Sequence, residues 1–220
     1  MKIGGCDFPD ALLYDLENNV WAGLEGGVAR VGITAILSWL SGGFTSATFK
    51  PNPIIARGKI LGAVEGPRHF DVVRSPLTGE LEEFNEGLIA QPGVLNRDPY
   101  GTGWFAKIKP LHLAEEVQLL KNASDAREGF DKKLKDLRVH CFTEFPDFEM
   151  FEIGVECSAV LVKLNDLLTS ARVGTVVHIA SDDPSAEVEM TRWSDQTGNA
   201  VPETKFDDGV YHFIVKKTEK

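Results

Sequence analysis

The sequence predicts two domains of different class: an all-β sandwich or barrel, followed by a two-layer α/β sandwich. Three observations carry this. Between residues 20 and 108, many short strand-like runs are separated by Gly- and Pro-containing turns, the pattern of β sandwiches and barrels. Residues 111–137 then change to apolar positions three and four apart, a helical period. From residue 148 onward, strand-like and helix-like runs alternate and close on a hairpin signal at Asp207-Asp208-Gly209.

Composition sets the outer limits. A chain of 220 residues holds one large or two modest domains. A hydrophobic content of 43% with 25% charged residues is ordinary for a soluble globular protein. The formal net charge of −10 argues against a general nucleic-acid binder, which needs a basic surface for phosphates. No apolar run reaches membrane-spanning length, so no membrane partner is expected, and residues 1–5 lack the apolar core of a signal peptide. Cys6, Cys141 and Cys157 are an odd set without metal-site spacing, for which a reducing cytoplasm is the simplest setting.

In chain order, residues 1–13 read as a loose lead-in. Residues 20–24 and 28–33 flank Glu25-Gly26-Gly27 and read as a hairpin. Residues 35–40 fit a short helix ending at Gly42-Gly43. Residues 44–49 and 60–65 are strands, with Pro51-Asn52-Pro53 marking a loop between them. Val72-Val73 and residues 80–84 flank a turn at Ser75-Pro76-Leu77-Thr78-Gly79, and residues 104–108 are the last strand of this domain. Leu113, Val117 and Leu120 give a closing helix; Phe130, Leu134 and Leu137 give a second helix or helical linker. Strand 148–153, helix 158–169, strand 175–180, helix 186–197 and two final strands place both helices on one face of a small sheet.

The chemistry-bearing stretch is Gly154-Val155-Glu156-Cys157-Ser158-Ala159-Val160, where strand period changes to helix period. A cysteine at a helix N-terminus meets free backbone N–H groups and the positive end of the dipole, both of which favour thiolate. Glu156, Asp182 and Asp183 oppose this, but exposed carboxylates are screened by solvent, so the helix is expected to prevail. The plain reading of Cys157 is a small buried hydrophobe. Asp182 and Asp183 are read as complementing the N-terminus of the next helix; the five histidines are scattered, and His178 and His212, in expected strands, are read as packing or surface groups.

Gly154-Val155-Glu156-Cys157, Ala180-Ser181-Asp182-Asp183-Pro184, Trp193 to Gly198 and Asp208-Gly209-Val210-Tyr211 together resemble the TusA/SirA-like sulfur-carrier family. That resemblance implies a persulfide carried on Cys157. The family's Cys-Pro-x-Pro is absent here: Ser158 and Val160 replace the prolines, and Asn199 stands where many members have histidine.

A second resemblance lies upstream. Tyr14-Asp15-Leu16-Glu17-Asn18-Asn19-Val20-Trp21, Gly27 to Thr34, Ser75-Pro76-Leu77-Thr78-Gly79-Glu80, Asn85-Glu86-Gly87-Leu88 and Leu95 to Trp104 occur in the order found in glycine cleavage system H-proteins. This implies a lipoyl-type barrel-sandwich fold whose hairpin tip carries lipoate on a lysine. The family's Glu-Ser-x-Lys aligns with Glu65-Gly66-Pro67-Arg68, so Arg68 occupies the lipoyl-lysine position. A guanidinium stays protonated and cannot replace the attacking amine, so no lipoate is expected. The tip is then a solvated hairpin or a docking element.

The combined reading is an H-protein-like domain at 1–122, a helical linker at 123–145 and a TusA-like domain at 146–220. The first functional expectation is a sulfur relay with a persulfide on Cys157, sulfur donor and acceptor proteins as partners, and no metal. The alternatives are an interaction protein without chemistry, and an H-protein-like component of a lipoate-linked system.

Overall fold

From the N-terminus the chain forms β1 (Lys2–Ile3), β2 (Cys6–Asp7), β3 (Leu13–Asp15), β4 (Val20–Glu25), β5 (Val28–Ile33), α1 (Ala35–Ser41), β6 (Ser46–Phe49), β7 (Ile54–Ile55), β8 (Ile60–Glu65), β9 (Phe70–Arg74) and β10 (Gly79–Phe84). After β10 come α2 (Gly87–Ala90), α3 (Val94–Arg97), β11 (Trp104–Pro110), α4 (Leu113–Glu116), a 3-10 turn, β12 (Lys121–Asn122) and α5 (Ala123–Asp136). The remaining elements are β13 (Phe148–Glu152), α6 (Cys157–Ser170), β14 (Val176–Ser181), α7 (Ala186–Thr197), β15 (Ala200–Asp207) and β16 (Val210–Lys216). This computed structural model describes residues 1–218. The chain divides into two units, Met1–Cys141 and the part from Phe142 onward.

The first unit is mostly β, with helices at its margins. A seven-stranded sheet has the order β12-β3-β4-β5-β11-β10-β7, and a three-stranded sheet the order β6-β8-β9. Gly26 and Gly27 both have positive φ, 59° and 84°, which suits the two-residue turn joining β4 to β5. Side chains from both sheets, among them Val20, Val31, Ile33, Leu61, Val64 and Val73, share one core with Phe105 and Ile108.

Some expectations need correction here. The lead-in is not loose: Ile3, Cys6, Phe8 and Leu12 are buried, and Phe8 stacks on Phe130 of α5 at 3.8 Å between ring centroids. Helix α5, read from the sequence as a second helix or helical linker, packs into the first unit. Its apolar stripe, Ala123, Ala126, Phe130 and Leu134, is buried in the core that holds Tyr14 and Trp21. The Asn122 carboxamide oxygen caps it by accepting the Asp125 N–H at 2.9 Å. Lys133 Nζ donates to Leu16 O and to Asn19 Oδ1. Cys6 and Cys141, for which the sequence suggested no pairing, form a disulfide with a Cα–Cα distance of 4.9 Å. The helix expected over 111–120 is shorter, with α4 followed by the 3-10 turn Val117–Leu119.

The second unit has the expected order of elements. Its sheet runs β13-β14-β16-β15, with β13 and β14 parallel and the other pairs antiparallel. The parallel pair needs a crossover, which α6 supplies. Val160, Leu164 and Leu168 of α6 and Ala186, Met190 and Trp193 of α7 are buried with Met150, Ile179, Phe213 and Val215 of the sheet. Gly198 ends α7 in the left-handed conformation, φ 72°.

Candidate functional site

Strand β13 delivers the chain to Gly154, whose φ of 73° a side chain would resist. The chain turns there and enters α6 with Cys157 as the first helical residue, as the change of period predicts. Because β13 and β14 are parallel neighbours, the residues following both strands emerge at the same sheet edge. Asp182 and Asp183 therefore face the Gly154–Cys157 turn. Asp182 Oδ1 accepts the Gly154 N–H at 2.7 Å, and Asp183 Oδ2 accepts the Cys157 N–H at 2.6 Å. Asp183 Oδ1 accepts both the N–H and the hydroxyl of Ser185, each at 2.8 Å, just ahead of α7.

One carboxylate thus serves the starts of both helices, whereas the sequence assigned it to α7 alone. Its hydrogen bonds, first that from the Cys157 N–H and then those from Ser185, hold the Asp183 carboxyl below its ordinary pKa. The expectation that the helix would lower the Cys157 pKa is overturned. The thiol is 2% exposed. Burial first, then the charges of Asp183 and Glu189, push it up to about 11. The physical reason is that burial penalises the thiolate most, and the Asp183 carboxylate, held on the Cys157 N–H, adds a negative charge close to the turn. Cys157 is nonetheless the free thiol of the chain, since Cys6 and Cys141 are joined.

On the opposite side of the sheet, His178 Nε2 and His212 Nδ1 lie 3.0 Å apart. The Phe142 ring is 4.6 Å from the His178 ring, which fits the packing role expected for these two residues. Among the described residues, no group of three or more His, Cys, Asp or Glu side chains is placed to hold a metal ion, and no helix is long and apolar enough to cross a membrane.

In the first unit, Arg68 lies in the tip Gly66-Pro67-Arg68-His69 between β8 and β9. The tip closes through the Gly66 N–H to His69 O at 3.0 Å. It is exposed but not free-standing. The Arg68 N–H donates to Ser41 O at 3.3 Å, and the guanidinium donates to Trp39 O at 2.8 Å. Helix α1 has no basic residue in its last turn, so Arg68 brings a cation to the negative end of that helix. Gly66 is required by this docking, because a Cβ there would meet Ser41 O. The sequence signal for this contact was faint: a helix with no basic residue of its own at its C-terminus, followed by Gly42-Gly43.

Comparison with known proteins adds the lineage. The family model for "Glycine cleavage H-protein" matches residues 12–133, more than half of the chain. The chain belongs to the glycine cleavage H-protein family. Its H-protein region is 34% identical over 142 residues to "Glycine cleavage system H protein 2" of Aquifex aeolicus, covering 64% of this chain and 88% of that protein. A "Probable glycine cleavage system H protein 2" of Sulfolobus acidocaldarius is 37% identical over 119 residues, covering 52% and 80%. The mitochondrial H protein of Pisum sativum is 38% identical over 112 residues, covering 50% and 67%. Beyond the H-protein region, the family model for "Sulfurtransferase TusA" matches residues 153–217, the segment that contains Cys157, Asp182 and Asp183. The chain therefore joins an H-protein domain to a TusA-like domain.

Proposed function

We propose that this chain is a sulfur-relay protein whose Cys157 carries a persulfide, and whose H-protein domain serves as a docking module without lipoate. The observation that supports it is the placement of the one free thiol at the head of α6, within the TusA-matched segment. In the loading step, the Cys157 thiolate attacks the outer sulfur of a donor persulfide. The donor's S–S bond breaks, the donor leaves as a thiolate, and Cys157 holds the sulfane sulfur. An acceptor thiolate attacks that sulfur in turn and releases Cys157. In the conformation described, the thiol is buried and neutral. Loading therefore requires the Gly154–Cys157 turn to open and Asp183 to leave the Cys157 N–H. Binding of the donor protein supplies this opening.

The test is incubation with a sulfane-sulfur donor, with peptide-resolved mass spectrometry of the parent protein and Cys157→Ser. A single sulfur on Cys157, absent in the variant and released by a thiol acceptor, is expected. No persulfide at Cys157, even with donor proteins present, would favour the interaction-protein reading, which the 2% exposure of the thiol also suits.

The proposal that Arg68 takes the lipoyl-lysine place rests on the sequence alignment and on the tip itself, whose four residues include no primary amine. The residues present do not fit lipoate attachment. Lipoate ligase with lipoyl-adenylate should leave the mass of the parent chain unchanged, while Arg68→Lys should gain a modifiable amine. A lipoyl adduct on any lysine of the unmutated chain refutes the proposal.

A further inference from the structure

At the end of the β8–β9 hairpin opposite Arg68, the first unit has a cleft of about 510 Å³. Lys50, Asn52, Ile54, Ile55, Ala56, Lys59, Ile60 and Arg74 line it. It lies where the chain leaves β6 of the three-stranded sheet, passes through β7 at the edge of the seven-stranded sheet, and returns as β8.

The charge of this cleft runs against that of the whole molecule. The chain carries 33 acidic and 23 basic residues, yet three cations and no carboxylate line the cleft. Residues 50–64 contain no Asp or Glu at all. Arg74 is positioned by its own hydrogen bond to Gly58 O at 3.0 Å. Lys50 and Lys59 have no side-chain hydrogen bond or ion pair among the described residues. Glu80 stands opposite Ile54 across the β7–β10 pair but does not line the cleft. Three converging cations without a counter-charge repel one another, and an anion relieves that repulsion. Pro51 and Pro53 bracket Asn52 and limit the freedom of the loop, so part of the ordering cost of binding is already met.

We infer that this cleft binds a small phosphate monoester bearing an apolar body. A monoester carries nearly two negative charges at neutral pH, roughly twice a carboxylate, and so matches the converging cations better. The volume lies in the range of small-molecule sites and exceeds what a bare phosphate fills. Ile54, Ala56 and Ile60 supply an apolar wall, and Ile54 is 61% exposed, an apolar side chain left for a ligand to cover. An extended nucleic-acid strand is disfavoured by the net charge of −10.

The experiment titrates the full chain with phenyl phosphate, inorganic phosphate and benzoate, followed by amide chemical shifts and calorimetry. Saturable binding of phenyl phosphate is expected, with shifts confined to residues 50–60 and 74. Inorganic phosphate and benzoate should each bind at least about tenfold more weakly, for want of the apolar body and of the second charge. The double variant Lys50→Gln/Lys59→Gln, at two exposed positions, should weaken phenyl phosphate by about tenfold or more while keeping the parent circular dichroism. Added salt should weaken the parent and affect the double variant less. Absence of saturation, shifts elsewhere, or unaltered affinity in the double variant overturns the site. Equal binding of benzoate, or of inorganic phosphate, overturns the ligand class.

Discussion

Asp183, 26 residues after Cys157, divides its two oxygens between the Cys157 N–H and Ser185, and so ties the reactivity of a thiol to the start of α7. Its removal has a definite sign. Burial contributes most to the raised Cys157 pKa, and the Asp183 charge comes next. Asp183→Asn keeps an acceptor for the Cys157 N–H but removes the charge. The pH midpoint of iodoacetamide labelling should therefore fall from about 11 toward the ordinary 9.0 without reaching it, because burial, the larger cause, remains. Labelling near pH 8 should speed up by several-fold to about tenfold. A midpoint that does not move would show that burial alone holds the thiol neutral. The linkage to stability follows the same sign. A thiol whose pKa is raised by folding contributes stability that is intact below about 9 and is lost as pH rises from there to about 11. Cys157→Ser should flatten that alkaline loss. Cys157, Asp182 and Asp183 were all legible as residues that oppose one another, but the hydrogen bonds from the Gly154 and Cys157 N–H groups to the two carboxylates were not. They depend on β13 and β14 lying side by side in parallel, which no local pattern specifies.

At the scale of elements, the hairpin β8–β9 is built by close approach. Gly62 sits where a Cβ would meet the Thr48 backbone oxygen of β6 and would lie 2.7 Å from Phe105 Cζ. Neither the neighbouring strand nor the core ring can yield cheaply in a packed interior. Gly62→Ala should cost about 1–3 kcal/mol in chemical denaturation. An unchanged midpoint would mean that β6 can slide away from β8. Elements with a sustained period were readable: the β4–β5 hairpin, α5, α6 and α7 all stand within a few residues of their expected bounds. Helices α2 and α3 were not, because four residues contain barely one turn and present no periodicity. The partners of α5 were not readable for a different reason. Its stripe of Ala126, Phe130 and Leu134 announced burial, but the partners, Phe8 and Tyr14, lie more than a hundred residues earlier.

At the scale of the first unit, the Cys6–Cys141 disulfide closes a loop with a sequence separation of 135 and ties β2 to the segment after α5. In the chain-entropy account, a cross-link over so long a loop is worth about 5 kcal/mol, chiefly by restricting the unfolded chain. Dithiothreitol, or Cys6→Ser with Cys141→Ser, should lower the melting temperature of this unit by on the order of 10 °C or more, with both treatments agreeing. An equal melting temperature before and after reduction would show that the stacking of Phe8, Tyr14 and Phe130 holds this corner by itself.

By itself, the sequence determined the two fold classes, the order of the long elements, the cysteine at the head of α6 and the arginine at the hairpin tip. These are local: hydrophobic period, turn residues and cap residues act over a few neighbours and leave their mark in the chain. Only the tertiary structure decided how those residues behave. Burial and the Asp183 carboxylate reversed the expected direction of the Cys157 pKa. The end of α1 captured Arg68, α5 became part of a core, and two of three cysteines were joined. Each of these outcomes depends on which groups approach one another across long stretches of chain. Electrostatic and packing energies fall off with distance in space, and that distance is set only once the chain has folded.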